Sequence, residues 1–485
     1  MGCERGRFSV SSPGRTAAVV LAIVVIVLIP VNIAAQPVNE SKPFGPSSTH
    51  IDHIVIIMME NRAFDNFYGT YCTAAGPYCT AAVNGEPAGL CVPKNASNPA
   101  LGCVKPYYLG VSGMTTHDMA HTWNSTHAAI NGGAMNGFYG AEDSGNLPFG
   151  TFGAHSIPFY WDLAEEYGLG ENFFSSVASY SLPNHWYLMA GAAPANSVNL
   201  STPKNGHETT AYKDAYLNQA NATPTVEDLL NKTPSVTWKY YDWSLGSYAK
   251  QISDGWGEIG PYNYWNPLAA KAESYSASFS SHFVNRTGFF YDAANGTLPD
   301  ISWIIPGAPF SDHAGLGNLS DGEAFDAQVI DAVERSPEWK TTAVFMTWDE
   351  YGGWYDGVAP PKANAVGLGI RVPLLVVSPY TPLGTVSNSF GSFSTLLHFV
   401  EWRFGLGCLT SQDCNAPLPF SYFNFNQTAR APVVFATNYT DTVYPMTLQT
   451  NYSEHLVCPS ICQITPSAWA NPPNGFPVIP GVDYS

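Results

Sequence analysis

Charge is what this sequence has least of. Only 12% of its 485 residues are Asp, Glu, Lys or Arg, about half the usual ~25%. With 20 Lys and Arg against 38 Asp and Glu, the formal charge is −18 at pH 7. A chain this poor in cations is ill suited to contacting a phosphate backbone, so no nucleic-acid partner is expected. Polarity comes instead from Ser, Thr, Asn and Tyr, and aromatic residues reach 14%. An acidic medium is one physical reason for the shortage. With every carboxylate protonated, 20 Lys and Arg plus 12 His bound the side-chain charge at +32, and few bases limit that self-repulsion. Glycans replacing surface charge explain the composition equally simply, and Asn-x-Ser/Thr sequons occur at Asn95, Asn199, Asn285, Asn295, Asn438 and Asn451.

Cysteine is scarce too, and it lacks the Cys-x-x-Cys spacing and nearby histidines of structural zinc sites. Apart from Cys3, the cysteines fall into four close pairs, Cys72/Cys79, Cys91/Cys103, Cys408/Cys414 and Cys458/Cys462, which read as local disulfides formed outside the cell. The only long uncharged apolar run near a terminus is 17–35, preceded by Arg5, Arg7 and Arg15. That is an export signal, and it is also close to the roughly 20 residues a membrane-spanning helix needs. The expectation is an extracytoplasmic protein, either secreted or anchored to the membrane through 17–35. Residues 36–50 form a polar linker, and 51–485 form the folded body.

That body opens with Ile51 to Met59, a near-continuous apolar run ending at Glu60-Asn61, the pattern of a parallel strand buried on both faces. Thr342 to Trp348 is a second such strand, ending at Asp349-Glu350; Val372 to Val377 is a third, and Asp300 to Ile305 a fourth. Helical spacing appears in Ala324 to Glu334 and in Phe393 to Phe404. Together these describe an α/β fold, a mostly parallel sheet sandwiched by helices. Residues from Cys72 to Cys103 read as a loop or insertion. The Tyr- and Trp-rich stretch of about 196–290 has no clear period and reads as a loop-rich cap over one edge. There is no internal repeat.

Ligands of open α/β sheets bind beyond the carboxyl ends of the strands, where Glu60-Asn61 and Asp349-Glu350 fall. Carboxylates gathered there would repel one another without a cation, and oxygen ligands suit a hard divalent metal ion. Between them lies Ser179 to Gly191, a polar turn running into an apolar helix. Ser181 there is a candidate nucleophile, because a serine hydroxyl becomes reactive when a base or metal lowers the cost of its alkoxide; helix capping is its ordinary alternative. His117, His121, His127 and His313 are candidates for binding phosphate or donating a proton. A helix would place His117 and His121 on one face.

These blocks resemble the phosphoesterase family that unites bacterial phospholipases C with an acid phosphatase branch. The resemblance rests on His53 to Gly69 around Glu60-Asn61-Arg62, on His121, and on Asn131 to Phe138. It continues through Ser181-Leu-Pro-Asn184-His185, Ser311-Asp-His313, Asp349-Glu350-Tyr-Gly-Gly-Trp-Tyr-Asp356 and Gly369 to Pro379. It implies an alkaline-phosphatase-like core and one divalent metal ion held by Glu60, Asn61, Asp349 and Glu350. It also implies a phosphoserine on Ser181, with His121 and His313 at the phosphoryl group and Asn184 and His185 contacting a phosphate ester substrate. The phospholipase C branch typically carries Thr at position 181 and adds C-terminal domains, so acid phosphatase is the expected branch and phospholipase C the alternative. Two positions depart from the family pattern: Asn136 stands where Asp is common, and Gly357 where His is common. No sulfatase-type Cys-x-Pro-x-Arg signature is present. A non-enzymatic surface glycoprotein is the remaining reading.

Overall fold

The computed structural model describes residues 46–71, 82–110, 115–141, 144–198, 216, 218–242, 265–271, 281–362, 366–433 and 435. The 17–35 segment, most of the linker, the Cys72/Cys79 and Cys458/Cys462 pairs and much of 196–290 lie outside them. Among the described residues no helix is long and apolar enough to cross a membrane.

The apolar runs become an eight-stranded sheet. Its strands in chain order are β1 (His53–Met59), β2 (Gly168–Gly170), β3 (Trp238–Asp242), β4 (Phe283–Val284), β5 (Ile301–Ile305), β6 (Thr342–Trp348), β7 (Leu374–Val377) and β8 (Thr385–Ser387). They lie in the order β8-β2-β7-β6-β1-β5-β3-β4. β1 is central, with Ile54 opposite both Ile301 of β5 and Ala343 of β6, and all three strands run parallel. The sheet is parallel except around β7, which runs antiparallel to β6 and to β2. That corrects the reading of 372–377 as another parallel strand. An unbroken apolar run reports burial on both faces, not direction. Among the described residues no helix lies between β6 and β7 to carry the chain back for a parallel return.

Helices cover both faces. Phe345 and Trp348 of β6 point to opposite sides, being an odd number of residues apart. Phe345 meets Phe399 of one helix, Phe393–Phe404, at 5.6 Å between ring centroids. Trp348 meets Tyr160 of another, Pro158–Glu166, at 5.2 Å. On the Trp348 side the Phe159 amide donates to Glu323 of the helix Leu319–Arg335, joining those two helices. Boundaries follow local chemistry. The helix 393–404 begins at a Ser392 capping box and ends at Gly405, whose φ of 66° suits glycine. Part of the 196–290 stretch extends the sheet itself, since β3 pairs with β5 and β4 pairs with β3. Within 72–103, Val92–Pro93 and Cys103–Val104 form a small antiparallel hairpin closed by the Cys91–Cys103 disulfide. Cys408–Cys414 is likewise bonded.

Candidate active site

Three strand ends converge at one edge. The Glu60 amide donates to the Ser311 carbonyl at 2.7 Å, and the Asp349 amide to the Met59 carbonyl at 3.0 Å. The loops after β1, β5 and β6 are thereby locked together. After Glu350 the chain turns through Gly352 at φ 61°, where any Cβ would overlap the Asn61 carbonyl. Glycine here lets the 349–352 turn close against the end of β1. The Asn61 amide completes the junction by donating to Asp349 Oδ1 at 3.3 Å.

Ser181 opens the wholly buried helix Ser181–Ala190, whose N-cap is Tyr180, so Ser181 is the first helical residue and not the cap. Its hydroxyl donates to Glu60 Oε2 at 2.9 Å, while His185, one turn on, bonds Glu60 Oε1 through Nε2 at 2.8 Å. Asn184 lies differently from the expected substrate contact. It is wholly buried, its Oδ1 accepts the Val177 amide, and its Nδ2 faces the carbonyls of Val177, Ser179 and Tyr180. Its side chain braces the loop that presents Ser181.

Glu60, Asn61, Asp349 and Glu350 are all fully buried. Glu350 Oε2 accepts the Gly352 amide at 2.8 Å. Yet both amide atoms of Asn61, Asp349 Oδ2 and Glu350 Oε1 are buried without a hydrogen-bond partner among the described residues. Such oxygens carry a large penalty unless something cationic meets them. Burial is the main force on their protonation. It raises Glu60 well above the ordinary carboxylate range, with Asp349 adding repulsion. It raises Asp349 as well, against the hydrogen bond from the Asn61 amide and the attraction of His121, and it lifts Glu350 to about 8 against the attraction of His121. Ligand atoms of Glu60, His185 and Asp349 lie within 4.8 Å of one another. An oxygen-rich set with unpaired buried atoms fits a divalent cation. Burial holds His185 near 3, so its imidazole is neutral and free of the charge that would oppose that cation.

Two more histidines border this cluster. His121 Nε2 lies 3.9 Å from Glu350 Oε1, and its Nδ1 donates to the Met119 carbonyl at 2.6 Å. His313 Nδ1 donates to the Ala314 carbonyl at 2.7 Å. The two rings sit 5.9 Å apart, nearly perpendicular. Each Nε2 is therefore the atom free for chemistry. Their charge states diverge. Burial would lower His121, but Glu350, Asp118, the Met119 carbonyl and Asp349 outweigh it and raise it to about 9. Burial lowers His313 to about 4, despite Asp118.

The structure thus gathers Glu60, Asn61, Ser181, His185, Asp349, Glu350, His121 and His313. His117 is not among them. It precedes the helix Trp123–Ile130 and lies exposed in an irregular segment, so the one-face relation with His121 does not form, because the helix starts only after its Thr122 cap. His127 is exposed on that helix against Trp123. Asn136, where the family pattern favours Asp, accepts from Asn131. Asp118, 3.6 Å from His121 Nδ1, escaped the sequence reading. Its only signal was an acidic residue three positions before a candidate histidine.

A family model described as "Phosphoesterase family" matches residues 51–407. The non-hemolytic phospholipase C of Burkholderia pseudomallei is 28% identical over 408 residues, covering 73% of this chain and 55% of that protein. The chain spans about half the length of that relative. Phospholipase C B of Mycobacterium tuberculosis is 27% identical over 426 residues, covering 77% of this chain and 78% of the relative. Among solved structures, the lipoteichoic acid synthase LtaP of Listeria monocytogenes is similar over 86% of this chain and 92% of its own, at 9% identity and a TM-score of 0.38.

Proposed function

The chain belongs to the phosphoesterase family, and from that premise we propose an extracytoplasmic, metal-dependent phosphoric ester hydrolase that attacks phosphorus with Ser181. The observation that carries the reading is the 2.9 Å hydrogen bond from the Ser181 hydroxyl to Glu60, in a buried cluster where Asp349 Oδ2, Glu350 Oε1 and the Asn61 side-chain amide lack partners among the described residues.

Glu60, Asn61, Asp349 and Glu350 would hold a divalent cation, which would supply a Lewis acid to polarise a phosphoryl group and lower the cost of a serine alkoxide. The chain's own residues do the rest. Ser181 passes its proton to Glu60, which His185 holds in place, as its Oγ bonds to phosphorus. The bond to the leaving oxygen breaks, and protonated His121 donates its Nε2 proton to that oxygen. His313, neutral above about 4, accepts a proton from the water whose oxygen then bonds to phosphorus; the bond from phosphorus to Ser181 Oγ breaks, and Glu60 returns its proton to that oxygen. Between about 4 and about 9 the pair carries its proton on His121. Activity is therefore expected to fall as pH rises and His121 deprotonates. Glu350 and Asp349, if engaged by a cation, would pull less strongly on that proton, and the fall would then come below 9.

Serine at position 181, where the phospholipase C branch typically carries Thr, favours phosphate monoesters. The names of the curated relatives favour a second reading, a phospholipase C acting on diesters. Hydrolysis of a chromogenic monoester and of phosphatidylcholine across pH, beside a chelator-treated sample and Ser181→Ala, separates the two. Turnover lost in both controls is the expected result, on the monoester for the first reading and on the lipid for the second. Turnover retained by Ser181→Ala means the nucleophile is another group.

A further inference from the structure

Exposed large apolar side chains are few among the described residues, and they are not spread evenly. Three of the six, Leu101 (59% exposed), Tyr107 (41%) and Tyr108 (53%), belong to one short stretch, the Cys91–Cys103 hairpin and the two residues paired with Gly150 and Thr151 beyond it. That stretch also breaks the charge pattern. In a chain of net charge −18, residues 87–117 contain no Asp or Glu and two lysines, Lys94 and Lys105, both exposed.

The hairpin is rigid and rooted. The disulfide and the Val92–Val104 pairing close its base. Val92 and Val104 are buried in one apolar cluster with Met119, two residues before His121, and with Tyr351, immediately after Glu350. The finger therefore grows from the same packed cluster as the loops that carry the site. Tyr108 is fixed through its hydroxyl to Ser156 at 2.6 Å, and the Lys94 ammonium lies 5.6 Å from the Tyr139 ring. Apolar tip, tyrosines with an apolar body and a polar end, and flanking lysines form the combination that settles at a bilayer's headgroup boundary and is drawn by anionic lipid.

We propose that this finger seats the catalytic edge of the protein on an anionic phospholipid bilayer. The proposal goes beyond the catalytic reading and uses none of its residues. The sequon at Asn95 sits on the finger, and a glycan there would stand between it and the lipid, so the test uses unglycosylated full-length protein at pH 7, where net charge opposes binding.

Amide hydrogen exchange gives a local readout that any membrane contact through 17–35 does not imitate. Vesicles of mixed phosphatidylcholine and phosphatidylserine are expected to protect amides of 94–109, and pure phosphatidylcholine vesicles to protect them far less. The Lys94→Gln/Lys105→Gln variant is expected to need roughly tenfold more anionic lipid for the same protection. Leu101→Ser with Tyr107→Ser is expected to abolish that protection while soluble-monoester turnover stays unchanged, which separates lost docking from lost folding or chemistry. Equal protection by neutral vesicles, or none by either, overturns the proposal. Protection that rises with protein concentration in the absence of lipid assigns the face to a second copy or another protein and overturns it too.

Discussion

Two buried carboxylate clusters lie within one short block of sequence and its partners, and they are built in opposite ways. In the first, Arg371 bonds Asp65 Oδ1 at 2.9 Å and Asp356 Oδ2 at 3.0 Å. Its remaining nitrogen donates to the Asn84 and Glu171 carbonyls. The amides of Gly357 and Val358 take the other carboxylate oxygens. Every oxygen there has a donor. In the second, among the described residues, Glu60, Asn61, Asp349 and Glu350 share neither an Arg nor a Lys, and four of their side-chain atoms have no partner. Both clusters draw on the residues following β1 and β6, so family resemblance alone does not tell them apart. Hydrogen-bond accounting does: the paired cluster's charges are offset within the fold, while the unpaired one leaves four buried polar atoms without partners among the described residues.

That contrast is sharpest in opposed substitutions. Asp349→Asn is expected to lower turnover by about 10³-fold or more, roughly 4 kcal/mol of barrier. The metal-free protein should unfold at no lower denaturant concentration than the parent. A matching loss of both activity and stability would place Asp349 with the scaffold. Arg371→Gln should do the reverse, costing about 3 kcal/mol of stability by leaving Asp65 and Asp356 buried without their cation. Urea unfolding measures that loss, and turnover per folded molecule should change far less than in Asp349→Asn.

The smallest effect is the pH dependence of stability. Burial raises the folded-state pKa of Glu60, Asp349 and Glu350 in the unpaired cluster, and of Asp312 to about 7 behind it. A carboxyl whose folded pKa is raised binds its proton more tightly folded than unfolded. Its contribution is fully present below the unfolded value near ~4 and is lost as pH rises. Metal-free protein should therefore melt at progressively lower temperature from about pH 4 to about 8. Loaded metal should flatten the part of that slope owed to Glu60, Asp349 and Glu350, and melting curves with and without a chelator at pH 5 and 8 read the difference.

Where the sequence was legible, period and punctuation carried the information. Thr342–Trp348 and Phe393–Phe404 appear as the elements their patterns describe, and the acidic dipeptides do end buried strands. Pairing direction was not legible for β7, because double-sided burial looks alike in either direction. Asn184 and His185, neighbours in one motif, have different partners: one braces a loop and the other bonds Glu60. Their shared helix turn was visible in the sequence, but the partners of each side chain depend on packing. Arg371, Asp65 and Asp356 were all within the recognised blocks, and only the fold brought them to one another across some 300 residues.

The place of β1 bears on how the protein comes to be made. The strand enters first and ends in the middle, flanked by β5 and β6, which begin at Ile301 and Thr342. Until the chain has been synthesised that far, a seven-residue run of almost wholly apolar backbone has neither of its neighbours, and Glu60 and Asn61 have no Asp349 to meet. Contacts of such sequence separation form slowly. A growing chain must keep that strand from aggregating until its neighbours arrive, so protection of β1 during synthesis is expected to raise the yield of folded protein.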